Sequence, residues 1–481
     1  MRIAILILLT SPVYAGDIPV VTLPFTKARS GRTMVIPVRA TYQSGPNYTN
    51  PDQLTPPNLK ERQLRGIGKG LSSDRQERIK TRLRHMDRWF VDSIPESKWD
   101  AIISGMDKIG REKFNAGEAD QDAIADAMLQ HAAKGLKDPL TKYMTQDEYA
   151  ANQKYYATSY KGVGIQLAED PQKRGIIARL VFRDSPAKQA GIQAGDLILS
   201  VDGKSLQGKT TTEAADMMRG KGGTQALLAV SRKQGTLPTY FRVTRGDVKK
   251  HTVFARAIGG GIGYVRISSF RDSTDNEFNA QVQPLEDAGI RKLVIDVRGN
   301  RGGRVWAAAH IVSEFYAQGT ETHHVDRRGQ RVGTYKAMEN GRFPDFQVVV
   351  LTDENSASMS EALAVSLRDN LGSKLVGGKT YGKGTQQSTW KVDGGRGERV
   401  TNGRSFGPNG ARYDAKRDAN GARIKGSGGL SPDFPISYPA GVKSKILSEL
   451  DEEMKTGNAP QSRTADPALE RAVRILAAIS A

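Results

Sequence analysis

Three stretches of different periodicity predict a multidomain protein of mixed α+β and α/β class. Residues 59–135 repeat apolar groups at helical spacing, and about 155–245 run as short strands broken by turn residues. Residues 254–440 alternate strand with helix. At 481 residues, with 38% hydrophobic and 26% charged content, the chain can bury two or three ordinary cores.

In the first stretch Ile124, Met128 and Ala132 share one helical face, and Gly135 can end that helix. In the second, Ile176–Val181 reads as a strand, and Ser185-Pro186-Ala187 before Ala190-Gly191-Ile192 as a short helix stopped by glycine. Leu197–Val201 runs into Asp202-Gly203, a tight hairpin signal. Thr212–Met218 follows as a helix and Ala226–Ser231 as a strand. In the third stretch Lys292–Val297 and Gln347–Leu351 predict strands, and Arg304–Tyr316 and Ala357–Arg368 helices. Leu375–Gly377 then leads into Gln386–Val392. This order implies a mostly parallel sheet with crossover helices. Gly394–Gly429, rich in glycine and arginine, reads as a long loop pair. Asp466-Pro467 with Leu469, Val473 and Leu476 predicts a capped amphipathic helix.

The chain starts Met1-Arg2, continues as apolar Ile3–Leu9 and reaches Val13-Tyr14-Ala15, the pattern of a signal peptide. The run is far short of the roughly 20 residues of a membrane span, and no cysteine is present to carry a lipid. A soluble exported protein, in a periplasm, is therefore expected. Residues 16–58, rich in Pro, Thr and Gly, read as an extended arm. The net charge of +19 concentrates in Lys60–Arg88 and Arg396–Lys425. These are solvated basic faces, or contacts to anionic cell-wall polymer or a membrane surface. With no recognition fold and no aromatic–basic interleaving, nucleic acid is not an expected partner.

The absence of cysteine excludes thiol nucleophiles. A serine nucleophile needs a base, and a lysine can serve once desolvation draws its pKa from about 10.4 toward about 7–8. Asn355-Ser356-Ala357-Ser358-Met359-Ser360-Glu361 and Tyr381-Gly382-Lys383-Gly384 offer such a pair, 25 residues apart (383 − 358 = 25). Taken alone, Ser358 and Glu361 form the S-x-x-E pattern of a helix capping box. Other constellations fail. Gly378-Lys379-Thr380 lacks the phosphate-loop glycine, Ser373 standing in its place, and Gly259–Gly263 lacks dinucleotide spacing. His323-His324 near Asp326 has no HExxH context, so neither a metal nor a Ser/His/Asp triad is expected, and no cofactor is implied.

The serine and lysine segments resemble the active-site strip of the carboxyl-terminal processing peptidases, the S41 family of Ser/Lys proteases. Gly382–Gln387 resembles the family's lysine segment, and Ile262–Phe270 and Ile295–Gly303 look like two further family blocks. Asp138–Met144 looks like the family's join between its helical N-terminal part and the PDZ insertion, and Gly162-Val163-Gly164-Ile165 opens what looks like an inserted PDZ domain. The resemblance spans roughly residues 120–437. It implies a ClpP/crotonase-like protease core with an inserted PDZ domain and a helical N-terminal region. The divisions expected are 1–15 leader, 16–58 arm, 59–154 helical region, 155–246 PDZ domain, 247–440 protease core and 441–481 helical tail.

By that resemblance Ser358 is the nucleophile, Lys383 the general base and Gln387 the group that orients the lysine. Ser356 and Ser360 are structural. The N–H of Met359 at a helix start is one oxyanion donor. The other comes from the Gly302-Gly303 turn, with Gly303 favoured. In the PDZ domain the amides of Val163, Gly164 and Ile165 would catch a tail carboxylate, and Ala214, Ala215 and Met218 would line the side-chain pocket. The implied substrates are proteins with accessible apolar or unstructured C-terminal tails, with an activator or adaptor as a further partner. The alternative is a non-catalytic PDZ scaffold. The sequence departs from the family at Arg301, where proline or a small residue is usual, and at Met359, where alanine is. The 16–58 arm has no family counterpart.

Overall fold

Six short strands build a sheet that is buried on both faces. Their order is Val253–Ala257, Ile262–Ile267, Lys292–Asp296, Gln347–Thr352, Lys374–Gly377 and Phe434–Pro435, and only the first pair is antiparallel. The computed structural model describes residues 58–232, 237–316, 320–325, 331–336, 341–460 and 462–479, so the expected leader and nearly all of the expected arm lie outside the described residues. Val265, Ile267, Leu293, Ile295 and Val350 face one side of the sheet, and Tyr264, Val294, Val349 and Leu351 the other. That is the period-two alternation of a strand, and burial of both faces is what a parallel sheet demands.

Helices Thr274–Asp287, Val305–Ser313 and Met359–Leu371 cover the first face. Val442–Thr456 and Pro467–Ala478 cover the second through Ile446, Leu450, Ala468, Ala472 and Leu476. The segment expected as a helical tail is thus the cover of half the sheet, and a boundary at 440 would cut through a packed layer. Amphipathic periodicity reveals such a helix but not the surface it lies on.

A second sheet holds Thr385–Val392 against Arg396–Phe406, whose opposite edge carries Lys142–Met144 and Thr320–Val325. Arg396–Phe406 falls inside the stretch expected as a loop pair. Its buried positions include Glu398, Thr401 and Ser405, so no apolar alternation announced the strand.

Helices Ser73–Trp89, Glu96–Asn115 and Gln121–Gly135 pack around Leu83, Trp99 and Met106, with Ile124, Met128 and Ala132 all 1% exposed or less. This helical region packs on Val392 and Val400 of the second sheet and is fastened to it further by polar contacts. Asp126 pairs with Arg396 at 2.7 Å, Arg82 with Glu398 at 3.2 Å, and the Val91 N–H donates to the Thr401 carbonyl at 2.8 Å.

The inserted domain is an antiparallel sheet ordered Ile165–Glu169, Ile176–Val181, Leu197–Val201, Gln225–Ser231 and Thr239–Thr244. Asp202 and Gly203 have φ of +50° and +78°, the primed turn that the hairpin signal predicts. Ile165–Glu169 is an edge strand, with helix Thr211–Met218 beside it. A ribbon of Ser159–Gly162 and Gly246–Lys249 joins this domain to the rest. No helix among the described residues is long and apolar enough to cross a membrane.

Candidate active site

Strand Gln347–Thr352 ends in a turn that the buried Asp353 ties together. Its Oδ1 accepts from the N–H groups of Gly299, Asn355 and Ser356 at 2.9, 3.0 and 3.0 Å. Ser358 then sits at the start of helix Met359–Leu371 with φ +58° and ψ −115°. That region is sparsely populated for a residue with a side chain and costs on the order of 1–3 kcal/mol. The helix therefore starts at Met359, two residues later than the sequence predicts. Ser356 and Ser360 direct their hydroxyls to backbone carbonyls, of Val297 and Asn300, both at 2.8 Å. They hold the turn.

The lysine lies across from this serine. Lys383 Nζ is 3.5 Å from Ser358 Oγ, 3.1 Å from the Thr385 carbonyl and 2.9 Å from Gln387 Oε1. An unprotonated amine has two hydrogens for the two latter acceptors, which leaves its lone pair for the serine hydroxyl. Hydrogen bonds at catalytic pairs are often long before substrate arrives. Burial pulls the Lys383 pKa down to about 8, and the Arg399 guanidinium adds to this, while Asp414, Glu361 and Asp138 oppose it. At neutral pH part of the amine is therefore unprotonated and able to accept a proton.

Glu361 joins the two segments. Its Oε2 accepts from the N–H groups of Ser358 (2.9 Å) and Lys383 (2.8 Å). Oε1 accepts from Thr380 Oγ1 and the Gly382 N–H, both at 2.6 Å. All four partners are donors, so this place needs a group that only accepts. Burial pushes the carboxyl pKa up, against the effect of these hydrogen bonds. The sequence offered Glu361 only as a capping residue, and the S-x-x-E spacing was the signal of its further role. Gly382 is required here because a Cβ would lie 2.8 Å from the Gly429 nitrogen.

The glycine turn faces the serine. A Cβ on Gly302 would lie 2.7 Å from Ser358 Cβ, and one on Gly303 1.9 Å from the Phe270 carbonyl oxygen. The two glycines differ in one respect. The Gly302 N–H donates to Asn300 Oδ1 at 2.8 Å, whereas the N–H groups of Gly303 and Met359 have no hydrogen-bond partner among the described residues. Two free amides flanking the serine can receive developing negative charge on an oxygen. Asn300 is fully buried, and its Nδ2 donates to the Ile267 carbonyl at 3.0 Å. Upstream, the buried Arg298 is held between Asp296 at 2.6 Å and Asp466 at 2.7 Å, fixing the chain as it leaves the sheet.

Away from this cluster, Val163 and Gly164 are buried, and their N–H groups have no partner among the described residues. Ile165 begins the edge strand. Ala214 and Met218 point into the core of the inserted domain, 0% and 3% exposed, while Ala215 is partly exposed. A cavity of about 380 Å³ lies where this domain meets the glycine turn, lined by Tyr155, Phe182, Lys250, Arg271, Arg301 and Met454 among others. His323 and His324 lie on strand Thr320–Val325, and Asp326 is outside the described residues. No metal-binding group of side chains occurs among the described residues.

The sequence matches the profile of Peptidase family S41 over residues 261–435 and a PDZ domain over 179–232. Carboxy-terminal processing protease CtpA of Bacillus subtilis (strain 168) is 29% identical over 309 residues, 64% of this chain and 65% of its own. CtpB of the same organism is 28% identical over 367 residues, 76% of this chain and 74% of its own. The carboxyl-terminal-processing protease of Picosynechococcus sp. is 34% identical over 270 residues, 55% of this chain and 64% of its own. The chain thus spans 64–74% of the length of these curated relatives. Among solved structures, the photosystem II D1 C-terminal processing protease aligns with 24% identity and a TM-score of 0.47, covering 80% of this chain and 97% of that one.

Proposed function

We propose, for a chain that carries a Peptidase family S41 domain behind a PDZ domain, that it is a serine endopeptidase working through Ser358 and Lys383. One observation carries the reading: Lys383 Nζ lies 3.5 Å from Ser358 Oγ, with its pKa drawn down to about 8 and its hydrogens engaged by Thr385 and Gln387. Ser358 attacks the scissile carbonyl and passes its proton to neutral Lys383. The Gly303 and Met359 amides hold the oxyanion. The lysine returns the proton to the leaving amine, and water then resolves the acyl-enzyme.

The substrates in this reading are proteins whose apolar or unstructured C-terminal tails reach the PDZ domain. The tail adds a strand beside Ile165–Glu169, and the Val163 and Gly164 amides take its carboxylate. The cavity beside the glycine turn, with apolar and cationic walls, suits the passage of such a tail. The apolar start of the chain supports export, which sequencing the N-terminus of protein from its native host would check. The assignment of activity is tested by a serine-reactive phosphonate probe on the whole protein. Stoichiometric labelling that disappears in Ser358→Ala is expected. Absence of labelling in the folded wild type would leave a tail-binding scaffold instead.

A further inference from the structure

The lysine's orienting group is itself oriented from a distant part of the chain. Gln387 lies on strand Thr385–Val392, and its Nε2 donates to Thr385 Oγ1 at 3.1 Å and to Thr401 Oγ1 at 3.2 Å. Thr401, 2% exposed, belongs to the neighbouring strand Arg396–Phe406. Its hydroxyl is 2.5 Å from Asp138 Oδ2, and the Thr141 hydroxyl reaches the same oxygen at 2.7 Å. The Thr401 N–H donates to Thr141 Oγ1 at 3.1 Å. Asp138 and Thr141 belong to the segment that leaves the N-terminal helices, so a residue 263 positions from Thr401 in sequence closes on the strand beside Gln387.

Directions in this chain are forced. A carboxylate only accepts, so the Thr401 hydroxyl must give its single hydrogen to Asp138. Its oxygen then has only lone pairs to offer Gln387, which must present the NH₂ side of its amide. The carbonyl side is left to face Lys383. Thr385 cannot impose this alone, because its hydroxyl is free to donate or accept. In the reverse orientation the Gln387 NH₂ would donate to the amine's lone pair, and that is the lone pair the Ser358 hydroxyl needs.

We propose that Asp138 and Thr401 are positioning residues for the proton-transfer step, which set the Gln387 amide so that the Lys383 lone pair stays directed at Ser358. The proposal rests on the Ser358–Lys383 reading above. The 138–141 segment also steadies Arg399, whose Nε donates to the Leu140 carbonyl at 2.8 Å. The charged groups acting on Lys383 are Arg399 on the adjacent strand, Asp414 on the loop beyond it, Glu361 on the serine's helix and Asp138 itself.

Thr401→Val leaves those four charges in place and removes only the relay, which gives the test an informative sign. Without Thr401 the amide can turn its NH₂ to the lysine. That disfavours the ammonium and favours the free amine, so the midpoint of the pH–acylation profile should fall below that of the wild type. The plateau rate should fall as well, by about 10–100-fold, the usual cost of losing an outer partner of an active group. Mere loosening would admit water, relieve desolvation and move the midpoint up. The experiment measures phosphonate acylation of the full chain across pH for wild type, Thr401→Val, Thr401→Ser, Asp138→Asn and Lys383→Ala. Thr401→Ser keeps the hydroxyl and should stay within about threefold of wild type, and Asp138→Asn should fall between the two Thr401 variants. A Thr401→Val protein with wild-type plateau and midpoint overturns the relay alone, as does a midpoint that moves up. Acylation that survives Lys383→Ala overturns the dyad and the relay with it.

Discussion

The two halves of the site are held by different physics. Ser358 stands on an apolar framework: the strand before it and the helix after it are both buried in the main sheet's core. Lys383 and Gln387 precede and enter a second sheet that packs Val392 and Val400 on the helical core and is in addition tied to the helical region by ionic and hydrogen-bonded contacts, Asp126–Arg396, Arg82–Glu398 and Asp138–Thr401. Apolar packing tolerates little displacement, so the strained backbone of Ser358 can be imposed on it. Polar attachment is directional and can be undone one hydrogen bond at a time. Substitutions on the serine side should therefore lower stability and activity together, while those on the lysine side should mainly change the rate and its pH dependence.

The largest effects test the dyad itself. Ser358→Ala and Lys383→Ala should each lower turnover of a disordered substrate by about 10⁴-fold or more. Lys383→Arg should be as inactive as Lys383→Ala, because a guanidinium stays protonated and cannot accept the serine proton. The wild-type rate should rise with pH and level off above about 8, where the Lys383 amine is free. Replacing His323 and His324 together should leave that profile unchanged. The serine side carries its own signature: Ser358→Gly, equally inactive, should melt higher than Ser358→Ala, because glycine relieves a strain of about 1–3 kcal/mol. Appreciable turnover by Lys383→Arg would sink the mechanism, and a Gly variant no more stable than the Ala variant would remove the strained framework from the comparison.

Next in size is Arg298→Met. It leaves Asp296, fully buried, with the Arg266 guanidinium at 3.8 Å, the Tyr264 hydroxyl at 2.8 Å and the backbone N–H of residue 298 at 2.9 Å as its remaining partners. Breaking a buried ion pair on one side costs about 3–5 kcal/mol. The check is urea denaturation, and a change below about 1 kcal/mol would show that the serine side does not depend on this anchor. Smaller again is Glu361→Gln. An amide must turn an NH₂ toward one of two pairs of donors, so about 1–3 kcal/mol should be lost at a buried unsatisfied group. Acylation should slow by about 10–100-fold, since Glu361 ties both segments. Wild-type acylation by Glu361→Gln would mean that the backbone alone sets the distance between serine and lysine.

How far the sequence reveals each half follows the same division. That Ser358, Lys383 and Gln387 meet was legible because they sit in short motifs at fixed spacing, and strand alternation marked the sheet that carries Ser358. Between Gly302 and Gly303 the sequence only favoured the second, since two adjacent glycines look alike until the Asn300 side chain takes one amide. Glu361 was hidden behind a capping pattern that it also fulfils. Asp138 was noticed only as part of a family-like join, and its link to Thr401 left no sign, because no local pattern connects residues 263 positions apart. Strand Arg396–Phe406 was missed for a related reason: both its faces are buried in part by polar residues, Glu398 on one and Thr401 on the other, whose partners Arg82 and Asp138 lie far off in the N-terminal region. Apolar order is written locally, whereas polar order of this kind is written only in the folded chain.

The smallest effect expected concerns the PDZ domain, where the comparison extends to recognition. The Val163 and Gly164 amides are unpartnered among the described residues, and strand Ile165–Glu169 is an open edge. The groove can therefore offer backbone hydrogen bonds to a tail and two amides to its carboxylate. Hydrogen bonds to a charged group contribute about 1.5–3 kcal/mol, but in a wet groove that charge is also given up to less solvent. A free-acid peptide should therefore bind the full-length Ser358→Ala protein only about tenfold more tightly than its amide, about 1.4 kcal/mol. Isothermal titration with both peptides measures this directly. Ala214 and Met218 point into the domain core, so Met218→Ala should lower melting of the domain more than it changes that ratio. Equal affinity for acid and amide would show that the loop does not read the terminus. The carboxylate would then have to be caught elsewhere, and the cavity at the glycine turn, with Lys249, Lys250 and Lys455 in its wall, is where to look.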